Sequence, residues 1–272
     1  MAYELRPLRI AELLDYTFDI YRRNFLLFLG ISAVPNTASL LLQLAVQGRN
    51  PTPRVASGVE VGAAFAAQVS VGLVSLIVTY IVTAATTFAV SEIYLNIPTS
   101  VWGCYARVAR KATRILLVSF VAALIIGIGT ALCIAPGIYW TGKYGLAVPA
   151  IVLESITSRE ALDRSANLAQ GAFGRIIGAV FLTAIFAGAM SYALDRGIEV
   201  LVPVIFHGPA VFSRIVAQEI ISTFVGTLLN PVSAIAITLV YYDQRVRREA
   251  FDIERMMSLL APRDLAAGAA AG

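Results

Sequence analysis

Charge is what this chain has least of. Only 14% of its 272 residues are Asp, Glu, Lys or Arg, against about 25% in average soluble domains. A deficit of that size in a chain this long excludes an ordinary soluble domain. Histidine is nearly absent as well: His207 is the only one, so no pair of imidazoles exists for metal binding or acid–base work. The thiol inventory is Cys104 and Cys133, and no CxxC, Gly-rich phosphate loop or nucleophile elbow occurs. These absences predict a protein that is not an enzyme, with no metal site and no cofactor.

What the chain has instead is apolar residues, 58% of the total, with a mean hydropathy of +0.77. Runs of about 20 apolar residues recur, the length that crosses roughly 30 Å of hydrocarbon as helix. The expected fold is all-α: a polytopic transmembrane bundle of six spans. They cover about Phe25–Val46, Val61–Leu95, Ile115–Ile134, Ile138–Leu153, Phe173–Leu194 and Phe212–Tyr242. The third and fourth should form a tight hairpin closed at Pro136-Gly137. Cys104 and Cys133 then flank one span on opposite sides, too far apart for a disulfide.

Three amphipathic helices are expected beside these spans. In residues 8–24, Ile10, Leu14, Phe18, Tyr21 and Phe25 recur at three- and four-residue steps, with Glu12, Asp15, Asp19, Arg22 and Arg23 opposite. Such a helix can lie in the headgroup plane or simply be the solvated start of the first span. The second follows Pro98, with Val101, Tyr105, Val108 and Ala112 on one face and Arg107, Arg110, Lys111 and Arg114 on the other. The third opens with Thr157-Ser-Arg-Glu160, the pattern of a capping box. The basic residues sit beside the ends of the apolar runs. Anionic lipid headgroups are therefore the expected partner of Arg107, Arg110, Lys111 and Arg114, and nucleic acid is not.

Lys and Arg counts orient the chain. Sixteen fall at the N-terminus, on the amphipathic helices and in the tail, and four on the opposite side. That places both termini and all three amphipathic helices in the cytoplasm, and the protein in the cell membrane. The N-terminus carries Glu4, Glu12 and Asp15 before any apolar run, so the first span should be retained. Residues 1–255 read as one six-span domain, and 256–272 as a flexible cytoplasmic tail. The chain also hints at an internal repeat. Residues 12–30 align without gaps to 160–178, matching Glu12 with Glu160, Asp15 with Asp163, Phe25 with Phe173 and Gly30 with Gly178. Three modules of one amphipathic helix and two spans are one reading; chance likeness of two amphipathic helices is the other.

Several short motifs recur in a particular order. They are Arg6-Pro7-Leu8, Leu14-Asp15, Tyr21-Arg22-Arg23-Asn24-Phe25, Pro136-Gly137-Ile138-Tyr139, Lys143, Pro149 with Val152-Leu153-Glu154, Glu160-Ala161-Leu162, and Tyr241-Tyr242-Asp243 with Arg245. In this order they resemble a bacterial and archaeal six-span family, the one labelled as the membrane domain of glycerophosphoryl diester phosphodiesterases. Catalysis in the proteins that gave the name resides in a separate soluble barrel, which this sequence lacks. The resemblance implies a fold and a membrane location, and no activity.

Four residues stand out as candidate ligand-binding positions: Lys143, Glu219, Asn230 and Pro231. Lys143 is a cation inside an apolar run; either its stem snorkels to the headgroups or it faces the bundle interior and holds a lipid phosphate or other anion. Asn230-Pro231 interrupts the sixth span, whose displaced carbonyls must be satisfied within protein or at a cavity. The carboxylates Glu12, Asp15, Glu160 and Asp163 read as solvated and capping groups. Lys143 and Glu219 fall at similar expected depth, which predicts an ion pair between spans four and six. The leading expectation for function is a non-enzymatic accessory or scaffold for other membrane proteins of the envelope. The alternative is a transporter or lipid-handling protein with an interior cavity near Lys143.

Overall fold

The computed structural model describes residues 9–49, 58–154, 156–205 and 211–249. The expected tail at 256–272, the Arg6-Pro7-Leu8 motif and His207 lie outside them. The described residues are helical throughout apart from short connections. The elements are α1 (Ile10–Arg23), α2 (Phe25–Arg49), α3 (Gly58–Tyr94), α4 (Val101–Leu132), α5 (Ile134–Tyr144), α6 (Ala147–Leu153), α7 (Ser158–Ala169), α8 (Phe173–Ile205) and α9 (Val211–Glu249). Five of these, α2, α3, α4, α8 and α9, are long and apolar enough to cross a membrane. Their outer surfaces are apolar, with Leu26, Phe65 and Leu132 each more than 70% exposed. Thr86, Thr87, Thr238 and Glu92 are turned inward. An apolar exterior over a partly polar interior fits a lipid surround.

The expected fourth span is the main departure. Residues 138–153 do not form one helix: α5 stops at Tyr144, Gly145 caps it, and α6 is a separate seven-residue helix whose first six residues are buried. Ser165 of α7 holds the two pieces together. Its hydroxyl donates to the Lys143 carbonyl (2.8 Å) and accepts from the Leu146 amide (3.2 Å), so groups freed by the break are paired. The hairpin before it turns at Cys133, whose extended backbone ends α4 and begins α5. Pro136 therefore falls in the first turn of α5, where its missing amide costs nothing. Gly137 is instead the closest approach of the two helices: a Cβ there would lie 2.9 Å from the Thr130 Cα.

Other expectations shift less. The second basic amphipathic stretch and the third span are one continuous helix, α4. Cys104 is buried near its start and Cys133 is exposed at its end, both free thiols. Helix α8 continues to Ile205 rather than ending near Leu194, and α9 runs unbroken through Pro231. In α1 the buried residues are Leu13, Thr17 and Ile20, while Phe18 is exposed. The contact face is thus rotated from the expected stripe. It packs against α8 and α9, and the small Thr17 fits there because its hydroxyl is satisfied by the Leu13 carbonyl (2.7 Å).

The packing follows three successive units. The last helices of the units, α3, α6 and α9, all touch one another. Around them α2 lies against α3 and α9, α4 against α3, α5 and α6, and α8 against α9 and α5. The first and third units share their helix starts: α7 starts 148 residues after α1, and α8 starts 148 after α2. Both α1 and α7 are capped alike, with the Glu12 carboxylate accepting from the Arg9 amide and the Glu160 carboxylate from the Thr157 amide, each at 2.8 Å. Helices α3 and α9 run side by side in parallel with a constant offset of 151, Thr87 against Thr238 (3.1 Å) and Ser91 against Tyr242 (2.8 Å).

Candidate functional site

Each of the three inner helices carries a carboxylate at or within two turns of its C-terminal end, and each carboxylate meets an arginine. Glu92 at the end of α3 pairs with Arg107 of α4. Glu154, the cap of α6, accepts from Arg164 of α7 at 3.0 Å and from the Tyr241 hydroxyl. Asp243 of α9, fully buried, accepts from Arg175 of α8 at 2.8 Å and Arg247 at 3.1 Å. Arg107 and Arg164 both sit seven residues after the cap of their helix, Ser100 and Thr157. Arg164 also reaches Glu249 (2.7 Å), which Arg245 approaches to 3.2 Å. The Glu249 and Glu154 carboxylates hold the Arg164 guanidinium well above its ordinary pKa. Lys111 turns inward too, donating to the carbonyls of Val152 (3.0 Å) and Glu154 (3.4 Å) at the end of α6. Two of the four cations expected to meet lipid, Arg107 and Lys111, are thus engaged with protein, while Arg110 and Arg114 are exposed.

Tyrosines from neighbouring helices donate to backbone carbonyls near both helix-interior prolines, and at Pro35 the bond replaces the one the proline cannot make. Pro35 of α2 cannot donate to the carbonyl of Ile31, four residues earlier; the Tyr105 hydroxyl of α4 does so instead. Near Pro231 of α9, the Tyr21 hydroxyl of α1 donates to the Leu228 carbonyl (2.6 Å), and burial raises the Tyr21 pKa above its ordinary value. The Tyr105 bond satisfies a backbone group that hydrocarbon could not.

Between these two proline sites lies a polar cleft of about 250 Å³ formed by α2, α3 and α9. Its lining includes Asn36, Ser39, Ser75, Thr79, Glu219 and Asn230. Asn36 donates its amide to the Thr227 hydroxyl at 3.0 Å, and Gln43 donates to Ser39 at 3.1 Å. Thr79 and Thr227 donate to carbonyls of their own helices (2.9 and 2.8 Å), which leaves their oxygens able to accept. The structure therefore brings Glu219 and Asn230 together, with Pro231 next in the chain.

Lys143 is elsewhere. It lines a second cavity, of about 380 Å³, with Tyr139, Ala166, Ala169, Gln170 and Phe173. Arg175, two residues beyond Phe173, meets Asp243, and Glu219 lies 24 residues before Asp243 on α9. At 1.5 Å per residue that is about 36 Å. The expected Lys143–Glu219 pair is not formed. The expectation of similar depth takes 138–153 as one straight span, whereas the break at Gly145 seats Lys143 against the α7–α8 corner.

Sequence reasoning passed over Glu92, Arg164, Arg175, Asp243 and Tyr105. A signal is present: an acid within the last two turns of each inner helix, or capping it, and an arginine seven residues after two of the caps. Among the described residues no group of three His, Cys, Asp or Glu side chains could hold a metal. Comparison with family models, curated proteins and solved structures finds no match to this chain.

Proposed function

We propose that this is a six-crossing membrane protein, without catalytic activity of its own, that admits a small hydrogen-bonding solute or a lipid's polar head into the cleft between α2, α3 and α9. In this reading α5 and α6 together complete the sixth crossing, the arginine-rich end faces the cytoplasm, and the cleft opens toward the opposite side. The resemblance to the glycerophosphoryl diester phosphodiesterase membrane-domain family is compatible with it and adds no substrate. The observation that carries the reading is the cleft's lining. Hydroxyls and amides that bond one another or their own helix while facing a common space within apolar spans keep lone pairs that water or a solute can use. A scaffold that only presents surface needs no such space, and a dry apolar bundle would serve it better.

Thiol chemistry tests this. In a chain with Cys104 and Cys133 replaced by Ser, a single Ser75→Cys should react with a membrane-impermeant methanethiosulfonate added from outside. Leu73→Cys, on the lipid-facing surface of the same helix, should stay unreactive. An inert Ser75→Cys would mean a dry cleft and return the protein to the scaffold reading.

A further inference from the structure

The Lys143 cavity is separate from the cleft and has a different chemistry. We infer that it holds the phosphate of an anionic lipid headgroup, with Lys143 as the cation that binds it. Among the described residues Arg107, Arg164, Arg175, Arg245 and Arg247 each meet a carboxylate. Lys143 meets none; its Nζ lies 5.4 Å from the ring centroid of its neighbour Tyr144. Lys143 is half-buried on the wall of this cavity, so an anionic ligand can supply the counter-charge that the protein does not.

The surroundings supply the rest of a headgroup site. Ala166 and Ala169 leave the space open on the α7 side, and Gln170 brings an amide to it. The α7–α8 corner turns on Gly171, whose positive φ of 70° only glycine adopts without strain. Arg248 is drawn to the same corner, donating to the carbonyls of Asn167 (2.6 Å) and Gln170. These acceptors are neutral, so its charge adds to that of Lys143. Phe173, the first residue of the apolar α8 span, packs on Tyr139 with ring centroids 5.6 Å apart. Tyr139 and Ile138 are exposed beyond it. A cation at the start of a span, flanked by exposed apolar side chains, suits a molecule with a charged head and a fatty tail better than a free anion.

Lipid retention provides the test, with phosphatidylglycerol as the probe. The protein is placed in nanodiscs of phosphatidylcholine with increasing phosphatidylglycerol, and retained lipid is counted by native mass spectrometry. The wild-type chain and Lys143→Arg should retain phosphatidylglycerol, and Lys143→Met should bind it about fivefold more weakly or worse. Ala166→Phe fills the cavity and leaves Lys143 in place, so it covers the case in which Lys143→Met does not fold; it too should lose retention. Unchanged retention in whichever of these two variants folds would overturn the site. Millimolar inorganic phosphate competing phosphatidylglycerol off the wild-type chain but not off Lys143→Met would overturn the lipid in favour of a soluble anion.

Discussion

Helices α3 and α9 run side by side, yet their two ends solve opposite problems. At the arginine-rich end Glu92 and Asp243 are buried and each is met by guanidinium groups. Toward the other end the same helices line a cleft with Ser75, Thr79, Ser222 and Thr223, polar but mostly uncharged. Buried charges tie their neighbours to one geometry, because losing either partner leaves an unpaired ion. Hydroxyls that bond their own helix tie down neighbours only through single neutral hydrogen bonds and keep an acceptor to offer. The first end therefore specifies the fold, and the second is where chemistry can vary without unfolding the protein.

The largest effect should come from breaking the first end. Asp243→Ala strips the acceptor from Arg175 and Arg247 at once, in a fully buried site. Loss of one partner of a buried pair costs about 3–5 kcal/mol, which thermal unfolding in detergent would register. Ser75→Ala, in the cleft, should cost less than about 1 kcal/mol. Comparable losses at the two positions would erase the distinction between the ends.

The repair at Pro35 sharpens the comparison at an intermediate scale. Tyr105→Phe leaves the Ile31 carbonyl without its donor, at about 1–3 kcal/mol for an unsatisfied buried group. Pro35→Ala restores the amide that carbonyl would ordinarily receive, so Tyr105→Phe should cost less in that background. A double-mutant cycle on unfolding free energies reads the coupling. Additive effects would show that the tyrosine supports packing rather than the freed carbonyl.

Local features of this architecture were legible in the residues. The 148-residue offset anticipated the common starts of α1 with α7 and α2 with α8, because caps and apolar onset are local signals. The break between α5 and α6 is also written locally: Gly145 follows the last turn of α5, and Pro149 lies in the first turn of α6. Glycine ends helices and proline begins them, but the uniform hydropathy of 138–153 masked the pair. Partner choice was the part that could not be read. Glu154 meets Arg164 and Tyr241 from two other helices, and Asn36 meets Thr227 across 191 residues. Apolar spans carry the same pattern whichever neighbour they face, so which polar groups converge is decided by packing.

The smallest effect concerns the cap that the first and third units share. Glu160 accepts the Thr157 amide, and that backbone hydrogen bond, with a second from the Thr157 side chain, holds its carboxyl below the ordinary carboxylate pKa. A carboxyl depressed in the folded state contributes stability that is present above its unfolded pKa, about 4.3. That contribution is lost as pH falls through the lower folded value. Hydrogen exchange at the Thr157 amide is the direct readout, since global unfolding would dilute so local an event. After correction for intrinsic rates, protection should hold near neutral pH and fall once the solution is more acidic than pH 4. Glu160→Gln keeps a carbonyl oxygen able to accept the same amide, so its protection should be weaker but flat with pH. An acid-dependent loss that persists in Glu160→Gln would assign the change to the Glu154–Arg164 contact beside it, and the cap would then report on the ionic end rather than on itself.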